Sequence, residues 1–161
     1  MSHNWGMLLC LAGILGGMFA GLLSDHFFQS RRGPVSAVLY VGLLVGALAG
    51  ALTLTTPAYG WVIVFMSLCV IGVHGMLSAA ASMDFAGKQN VGVAVGLIDG
   101  MVYAGTGAQF LVLGYLTPSG EAAHDVANWW AWPVAMIPFA VLGLGLSTRV
   151  WNARAQRSAS H

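Results

Sequence analysis

The sequence predicts an all-α membrane protein with five transmembrane helices, and three observations carry that prediction. Its 161 residues are 58% hydrophobic and only 7% charged, whereas soluble domains carry about 25% charged residues. Five apolar runs reach the length of about 20 residues that a helix needs to cross a bilayer. When these runs are threaded back and forth through a membrane, every lysine and arginine falls on the same side.

The five predicted spans cover residues 5–23, 35–54, 61–81, 91–116 and 130–150. The first connection is a charged stretch that contains DHFFQSRRGP, and the later ones read TTPAYG, MDFAGKQN and TPSGEAAHDVANWW. Residues 1–151 are therefore expected to form one five-span unit, followed by a cytoplasmic tail at 152–161. The first apolar run is too long, and its flank too poor in positive charge, for a cleavable signal peptide.

The basic residues predict the orientation of the chain in the membrane. The first loop, the third loop and the C-terminal end, including the last residues of the fifth span, hold all six of them: Arg31, Arg32, Lys88, Arg149, Arg154 and Arg157. The opposite set of connections holds none and carries Glu121 and Asp125 instead. Because lysine and arginine stay on the cytoplasmic side, we expect an outside N-terminus and a cytoplasmic C-terminus in the cell (inner) membrane.

Glycines recur every four residues in three of the predicted spans. These candidate helix-packing residues are Gly13, Gly17 and Gly21 in the first span, Gly42, Gly46 and Gly50 in the second, and Gly92, Gly96 and Gly100 in the fourth. In lipid, small residues at this spacing let two helix backbones approach closely and gain van der Waals contact. The pattern predicts closely packed helices whose faces can slide, and a static bundle or a dimer interface is the alternative.

The first connection resembles the cytoplasmic-loop signature of the major facilitator superfamily. That signature has a glycine, an aspartate four residues later and a basic pair after a short turn, here Gly21, Asp25, Arg31 and Arg32. The basic pair lies two residues further on than in the general form. The longer form, SDHFFQSRRGP, is similar to that of the organophosphate:phosphate antiporter branch, which includes glycerol-3-phosphate and hexose-phosphate transporters. One departure is His26, which stands where a lysine or arginine is usual.

A second stretch resembles the same branch. MDFAGK at residues 83–88, then Gly92-Val-Ala-Val-Gly96 and Tyr103-Ala-Gly105, are similar to the segment that joins the tenth and eleventh helices there. The signature loop follows the second and eighth helices of that twelve-helix fold. Since four more spans follow the loop here, the resemblance implies that the chain corresponds to helices eight to twelve.

The resemblance implies the C-terminal portion of a secondary active transporter that works by alternating access. Its solute would be an organophosphate or another small organic anion, and the missing N-terminal helices would come from the same transporter or from a separate polypeptide. In the superfamily, the aspartate at the place of Asp25 caps a cytoplasmic gate between the two six-helix halves. A solvated loop aspartate is the simpler interpretation of this residue, and a stand-alone five-span interaction or assembly subunit is the alternative for the whole chain.

Two ionisable residues lie deep in predicted spans. An acid such as Asp99 costs about 2.5–3.5 kcal/mol at the centre of a membrane helix, which makes it a functional candidate. His74 and Asp99 each lie about 18 Å from the turn near residues 86–87, so they are expected at similar depth on adjacent helices. Such a pair could relay a proton or stabilise a bound substrate. Alternatively, Asp99 is protonated or hydrogen-bonded on a packing face and His74 bonds a backbone carbonyl.

Further polar residues follow Asp99 on the fourth span. Tyr103, Thr106 and Gln109 continue a polar stripe, which favours a cavity or an interdomain face over lipid, and Tyr103 joins His74 and Asp99 as a candidate proton or substrate site.

The remaining patterns argue against other classes of protein. The sequence has no HExxH motif, phosphate loop or Ser/His/Asp set of the kind that marks an enzyme. Neither a CxxC nor a metal-ligand spacing occurs, so no metal or cofactor is expected. No basic patch with interleaved aromatic residues points to nucleic acid. The expected partners are the lipid bilayer, a small-molecule solute and the missing helices.

Overall fold

The structure, a computed structural model, describes residues 4–153, without the side chains of residues 85, 87 and 88. Within these residues the chain is helical and contains no strand. Five of its helical stretches are long and apolar enough to cross a membrane, which confirms the predicted fold class. Most of the predicted cytoplasmic tail, residues 154–161, lies outside the described residues.

The main helices are α1 (Trp5–Phe27), α2 (Arg32–Thr53), α3 (Tyr59–Gly75), α4 (Ser82–Leu116) and α5 (Ala131–Arg149). A π-helical segment, Met76–Ala81, joins α3 to α4, and two short 3-10 helices, Gly120–His124 and Val126–Trp130, lie between α4 and α5.

Helix α2 lies at the centre of the bundle, between α3 and α5. Its side chains Val35, Leu39 and Leu43 are buried in the core. A Cβ added at Gly46 would lie 2.5 Å from the Cγ of Met66 on α3, and one at Gly50 would lie 3.3 Å from the Cβ of Pro133 on α5. Gly42 is similarly close to α3, where the Sγ of Cys69 would be 2.8 Å away. The glycines of α2 therefore lie in close helix contacts.

The contact face of α1 differs by one residue from the predicted glycine stripe. Its buried residues are all small and recur every four positions: Ala12, Gly16, Ala20 and Ser24. A Cβ at Gly16 would overlap the backbone carbonyl of Leu68 on α3, whereas a Cβ at Gly17 or Gly21 would have no neighbour within 4 Å. A Cβ built at Gly13 would lie 3.5 Å from the Cγ1 of Ile71 on α3, an ordinary van der Waals distance. The buried face of α1 is therefore formed by small residues of three types, glycine, alanine and serine, and not by glycines alone. Such small residues allow neighbouring helix backbones to approach closely.

Helix α4 presents its glycines to open space in the described part of the chain. No atom lies within 4 Å of a Cβ built at Gly92, Gly96 or Gly100. Large side chains such as Leu97 and Met101 are exposed on the same helix. The predicted packing role of this stripe therefore finds no partner among the described residues.

The third connection also differs from its prediction. Residues 83–90, expected as a loop, are helical, because α4 begins at Ser82 directly after the π-helical segment. The chain still turns back sharply, since the Oγ of Ser78 lies 2.6 Å from the Oδ1 of Asp99, and a straight helix would separate these residues by about 31 Å. The apolar stretches on the two sides end at Asp84 and begin again at Gln89, so the chain reverses between these residues.

The first connection is shorter than predicted, because only residues 28–31 separate α1 from α2. Gln29 and Ser30 adopt left-handed φ angles of 54° and 60°, and the amide of Ser30 donates to the carbonyl of Ser24 at 2.9 Å. Asp25 consequently lies in the last turn of α1 and not in the loop. This tight turn brings the ends of the two helices together.

Candidate functional site

The first polar cluster lies where α1, α2 and α4 meet, and Arg32 is at its centre. The Nε of Arg32 donates to the Oδ2 of Asp84 at 2.7 Å, and its Nη1 donates to the Oγ of Ser24 at 2.9 Å. The Oδ1 of Asp25 lies 3.6 Å from the same Nη1. We call Ser24, Asp25, Arg32 and Asp84 the arginine cluster. It ties the turn between α1 and α2 to the start of α4.

The two carboxylates of the arginine cluster differ in exposure. The side chain of Asp84 is 21% exposed and that of Arg32 is 18% exposed, so their ion pair is partly shielded from solvent. The side chain of Asp25 is 60% exposed and also accepts a hydrogen bond from the Oγ of Ser30 at 2.9 Å. Asp25 therefore presents most of its carboxylate at the surface of the cluster.

The other residues of the signature stretch lie beside this cluster. Arg31 has a buried Nε with no hydrogen-bond partner in the described part of the chain. His26 is exposed, and its Nδ1 lies 3.2 Å from the carbonyl of Leu22 within α1. Gly21 has open space around its Cβ position. Of the four predicted gating residues, Arg32 and Asp25 thus come together, while Arg31 has no ion-pair partner among the described residues.

Asp84 is the member of the arginine cluster that the sequence did not single out. It lies 52 residues from Arg32 along the chain, and no local pattern connects the two. The available signal was the resemblance of MDFAGK to the branch, in which Asp84 is the acidic residue. Asp84 ends the apolar stretch that begins at Tyr59, and this end of the stretch lies beside Arg32 at the start of α2.

The second polar cluster lies within the predicted membrane spans and consists of His74, Ser78 and Asp99, here called the aspartate cluster. The Nε2 of His74 lies 3.8 Å from the Oδ1 of Asp99, and the hydroxyl of Ser78 donates to that same oxygen at 2.6 Å. His74 and Asp99, predicted to lie at similar depth, are therefore neighbours. The side chains of His74 and Asp99 are 36% and 32% exposed, whereas Ser78 is 6% exposed.

The π-helical segment positions Ser78 in this cluster. His74 lies at the end of α3, and Ser78 follows within the segment. A π-helical turn is wider than an α-helical turn and occurs frequently at functional sites. Ser78 was not predicted as a site residue, because a serine in an apolar run carries no signal by itself.

The polar stripe that follows Asp99 does not converge on the aspartate cluster. Tyr103 is 70% exposed. Thr106 donates from its Oγ1 to the carbonyl of Val102 on its own helix, at 2.9 Å. Gln109 turns to α5, where its Nε2 lies 3.2 Å from the Sδ of Met136. Tyr103 is thus accessible one turn from Asp99, whereas Thr106 and Gln109 have partners elsewhere.

A cavity of about 300 Å³ lies apart from both clusters. Its walls are mainly apolar and include Met66, Phe110 and Trp132, with Ser67 and Gln109 as polar members. No residue of the arginine or aspartate cluster lines it. Among the described residues, no group of three or more histidine, cysteine, aspartate or glutamate side chains could hold a metal ion.

Comparison with known proteins finds transporters as relatives over most of the chain. The chain is 32% identical over 158 residues to the "Probable hexose phosphate transport protein" of Chlamydia trachomatis serovar D, a match that covers 94% of this chain and 32% of that protein. It is 29% identical over 147 residues to the glycerol-3-phosphate transporter of Bacillus subtilis strain 168, covering 88% of this chain and 31% of the relative. The chain thus spans about a third of the length of these curated relatives.

These matches confirm the resemblance to the organophosphate branch that the two motifs indicated. The relatives are named as transporters and not as enzymes. No protein-family model matches the chain, and no solved structure matches it significantly. Together with the five long apolar helices, these relatives support an integral membrane protein.

Proposed function

We propose that this chain, a homologue of hexose-phosphate and glycerol-3-phosphate transporters, forms helices eight to twelve of a secondary active transporter for an organophosphate or a related small organic anion. Similarity to two such transporters over most of the chain supports this proposal. Alternating access rocks one helical half against the other around a central site. The remaining helices are supplied by the same transporter or by a separate polypeptide.

The orientation in the cell membrane is part of the proposal. All six lysines and arginines lie on one side of the threaded chain: at the turn between α1 and α2, near the start of α4, and at or after the end of α5. The positive-inside rule places that side in the cytoplasm. The arginine cluster is then at the cytoplasmic end of the bundle, and the aspartate cluster lies deeper in the membrane.

The arginine cluster supports the proposed cytoplasmic gate. Arg32 holds the α1–α2 turn against α4 through Asp84, and this contact leaves the carboxylate of Asp25 largely exposed. An exposed carboxylate on a rigid corner can form charge contacts, or accept from a helix N-terminus, on the opposite half when the gate closes. This arrangement is the observation that carries the assignment of Asp25, Arg31 and Arg32 to the gate.

The aspartate cluster is the proposed proton or substrate site of the transporter. Charged residues within membrane spans commonly mark ion or substrate pathways. His74 and Asp99 are each about one-third exposed, and Tyr103 is accessible on the same helix. These groups therefore face a region that a solute or the second half of the transporter can occupy.

The gate is tested in the complete transporter by replacing Asp25 with asparagine. Because Asp25 acts on the equilibrium between two states and not on bound solute, uptake of glucose 6-phosphate or glycerol 3-phosphate should slow much more than the half-saturation concentration changes. A charge contact at a helix end is worth about 0.3–2 kcal/mol, which corresponds to a rate change of about 2- to 30-fold. Initial uptake rates in proteoliposomes measure the effect.

The matched control for Asp25→Asn is Glu121→Gln, which removes an exposed carboxylate from the opposite end of the bundle. Unchanged turnover in Asp25→Asn would show that Asp25 is a solvated surface residue. No uptake of either solute by the unaltered transporter would favour the alternative function, a five-span assembly subunit whose open α4 face binds another membrane protein.

A further inference from the structure

Asp99 lies near the middle of its membrane span, and one of its two carboxyl oxygens is left for a further contact. The apolar stretch of α4 begins at Gln89, and Asp99 follows about 15 Å further along the helix, half of the roughly 30 Å hydrocarbon thickness of a bilayer. Its Oδ1 accepts from the hydroxyl of Ser78 at 2.6 Å and lies 3.8 Å from the Nε2 of His74. Within the described residues, no hydrogen bond involves its Oδ2.

The face of α4 that carries Asp99 is open. Residues three and four apart share one side of a helix, and this spacing relates Gly92, Gly96, Asp99 and Tyr103 to one another. A Cβ built at Gly92 or Gly96 would have no described neighbour within 4 Å, and Tyr103 is 70% exposed. A bound molecule can therefore reach the helix backbone beside the carboxyl group, an approach that glycine permits because it has no side chain.

The membrane interior of this chain offers no positive charge to a phosphate group. Every lysine and arginine lies at or beyond the end of one of the five apolar stretches. A phosphate ester carries about −1.5 to −2 charges at neutral pH, and arginine and lysine are its usual partners. A carboxylate such as that of Asp99 repels a nearby anion. In the proposed transporter, a solute at the membrane centre therefore turns its phosphate group away from Asp99.

The other end of such a solute carries hydroxyl groups, and the side chains on this face of α4 match them. A carboxylate oxygen accepts a hydrogen bond from a hydroxyl, and a tyrosine hydroxyl both donates and accepts. Asp99 and Tyr103 lie one helical turn apart, so that one small solute can contact both of them.

We propose that Asp99 and Tyr103 form the subsite for the hydroxyl-bearing end of the solute. This inference rests on the proposed function and deepens it, because it assigns one part of the solute to the aspartate cluster. The Oδ2 of Asp99 accepts a hydrogen bond from a solute hydroxyl, while the buried hydroxyl of Ser78 holds Oδ1 in place. The subsite thus distinguishes a sugar or glycerol phosphate from inorganic phosphate, which has no hydroxyl-bearing carbon.

The test compares glucose 6-phosphate with inorganic phosphate as solutes of the complete transporter, in proteoliposomes loaded with phosphate. The two solutes share the phosphate group, so damage to the phosphate site or to the conformational cycle affects both alike. Asp99→Ala removes the hydroxyl contact alone, and the half-saturation concentration for glucose 6-phosphate should rise by about 10- to 100-fold. The value for inorganic phosphate should stay within about twofold of the wild type or fall, because a repelling group has been removed.

Tyr103→Phe provides a second, independent variant. It keeps the ring and removes only the hydroxyl, and it should raise the value for glucose 6-phosphate by about 2- to 10-fold without changing that for phosphate. This variant decides the question if Asp99→Ala is not produced in folded form. Thr106→Val is the matched control, since the hydroxyl of Thr106 bonds the carbonyl of Val102 within α4, and it should leave both values at those of the wild type.

Two results would overturn the proposal while leaving the proposed function intact. Equal increases for both solutes in Asp99→Ala would show that Asp99 supports the fold or the phosphate site and does not contact solute hydroxyls. Wild-type values for both solutes in Asp99→Ala and in Tyr103→Phe would remove these residues from contact with the solute. A wild-type transporter that carries neither solute would instead contradict the proposed function itself, and the inference would fall with it.

Discussion

At the residue scale, Arg32 connects its own helix, α2, to three other elements. Its guanidinium contacts α1 through Ser24, α4 through Asp84 and the π-helical segment through the Sδ of Met76, 3.8 Å from Nη1. A lysine could reach one of these groups but not all of them, because its ammonium lacks the planar fork of the guanidinium. Arg32 therefore fixes the corner from which Asp25 projects.

Replacing Arg32 should show how much its ion pair with Asp84 contributes to the stability of the protein. Arg32→Ala leaves a partly buried carboxylate without its charged donor, and we expect the free energy of unfolding to fall by about 1–3 kcal/mol. If the two residues act as a pair, Arg32→Ala and Asp84→Asn together should cost little more than either alone, with a coupling of about 0.5–3 kcal/mol. Unfolding of the purified protein in mixed detergent micelles measures the four corners of the cycle.

Arg149→Ala is the comparison for that cycle, since it removes an arginine from the last turn of α5 and should lower stability far less. Additive losses in Arg32→Ala and Asp84→Asn would show that their short contact contributes no energy of its own.

Among the elements, α1 shows how close packing depends on register. The buried face of α1 consists of Ala12, Gly16, Ala20 and Ser24, and Gly16 lies against Leu68 of α3. Phe19 and Leu22 are exposed. Burying small residues and exposing large ones would be unfavourable in water. In lipid, large apolar side chains lose nothing by facing the acyl chains, and small ones let the backbones approach.

Two adjacent glycines of α1 should respond differently to the same substitution. Gly16→Ala places a methyl group against the carbonyl of Leu68, and we expect a loss of about 1–3 kcal/mol from overpacking. Gly17→Ala meets no atom within 4 Å and should be neutral or slightly stabilising, because alanine is the better helix former. Unfolding in detergent measures both variants. Equal losses at the two positions would contradict the described face of α1.

At the scale of the whole molecule, most of α4 has no partner in the described chain. Leu97, Met101 and Tyr115 are exposed along its length, and its glycines meet nothing. The chain covers about a third of the length of its transporter relatives. The proposed first seven helices would supply the surface that covers this face of α4. The bundle itself is held mainly by α2, packed between α3 and α5.

The proposed orientation can be tested by cysteine labelling of the intact cell. Cys10, which is exposed, and Cys69, which is buried, are first replaced by serine and alanine respectively. A membrane-impermeant maleimide should then label Ala122→Cys from outside, and should label Gln29→Cys only after the cells are opened, because the two positions lie in loops on opposite sides. Labelling of Gln29→Cys in closed cells would reverse the assignment.

The sequence by itself determined the fold class, the number of long apolar helices and the relationship to the organophosphate branch. These properties depend on local composition, on length and on short motifs. The equal depth of His74 and Asp99 could also be predicted, because depth follows from counting residues away from a turn. Such counting requires only that the chain reverses near residues 86–87.

Only the tertiary structure decided which side chains meet across the bundle. Gly16 and Gly17 are equivalent in sequence, and the choice between them depends on the backbone of α3 that approaches. Arg32 and Asp84 are partners although 52 residues separate them along the chain. Ser78, in the π-helical segment, is hydrogen-bonded to Asp99 on α4. Contacts between distant segments depend on the rotation of each helix about its axis. A membrane span that is apolar on every side leaves this rotation undetermined in the sequence, and the packing of neighbouring helices sets it.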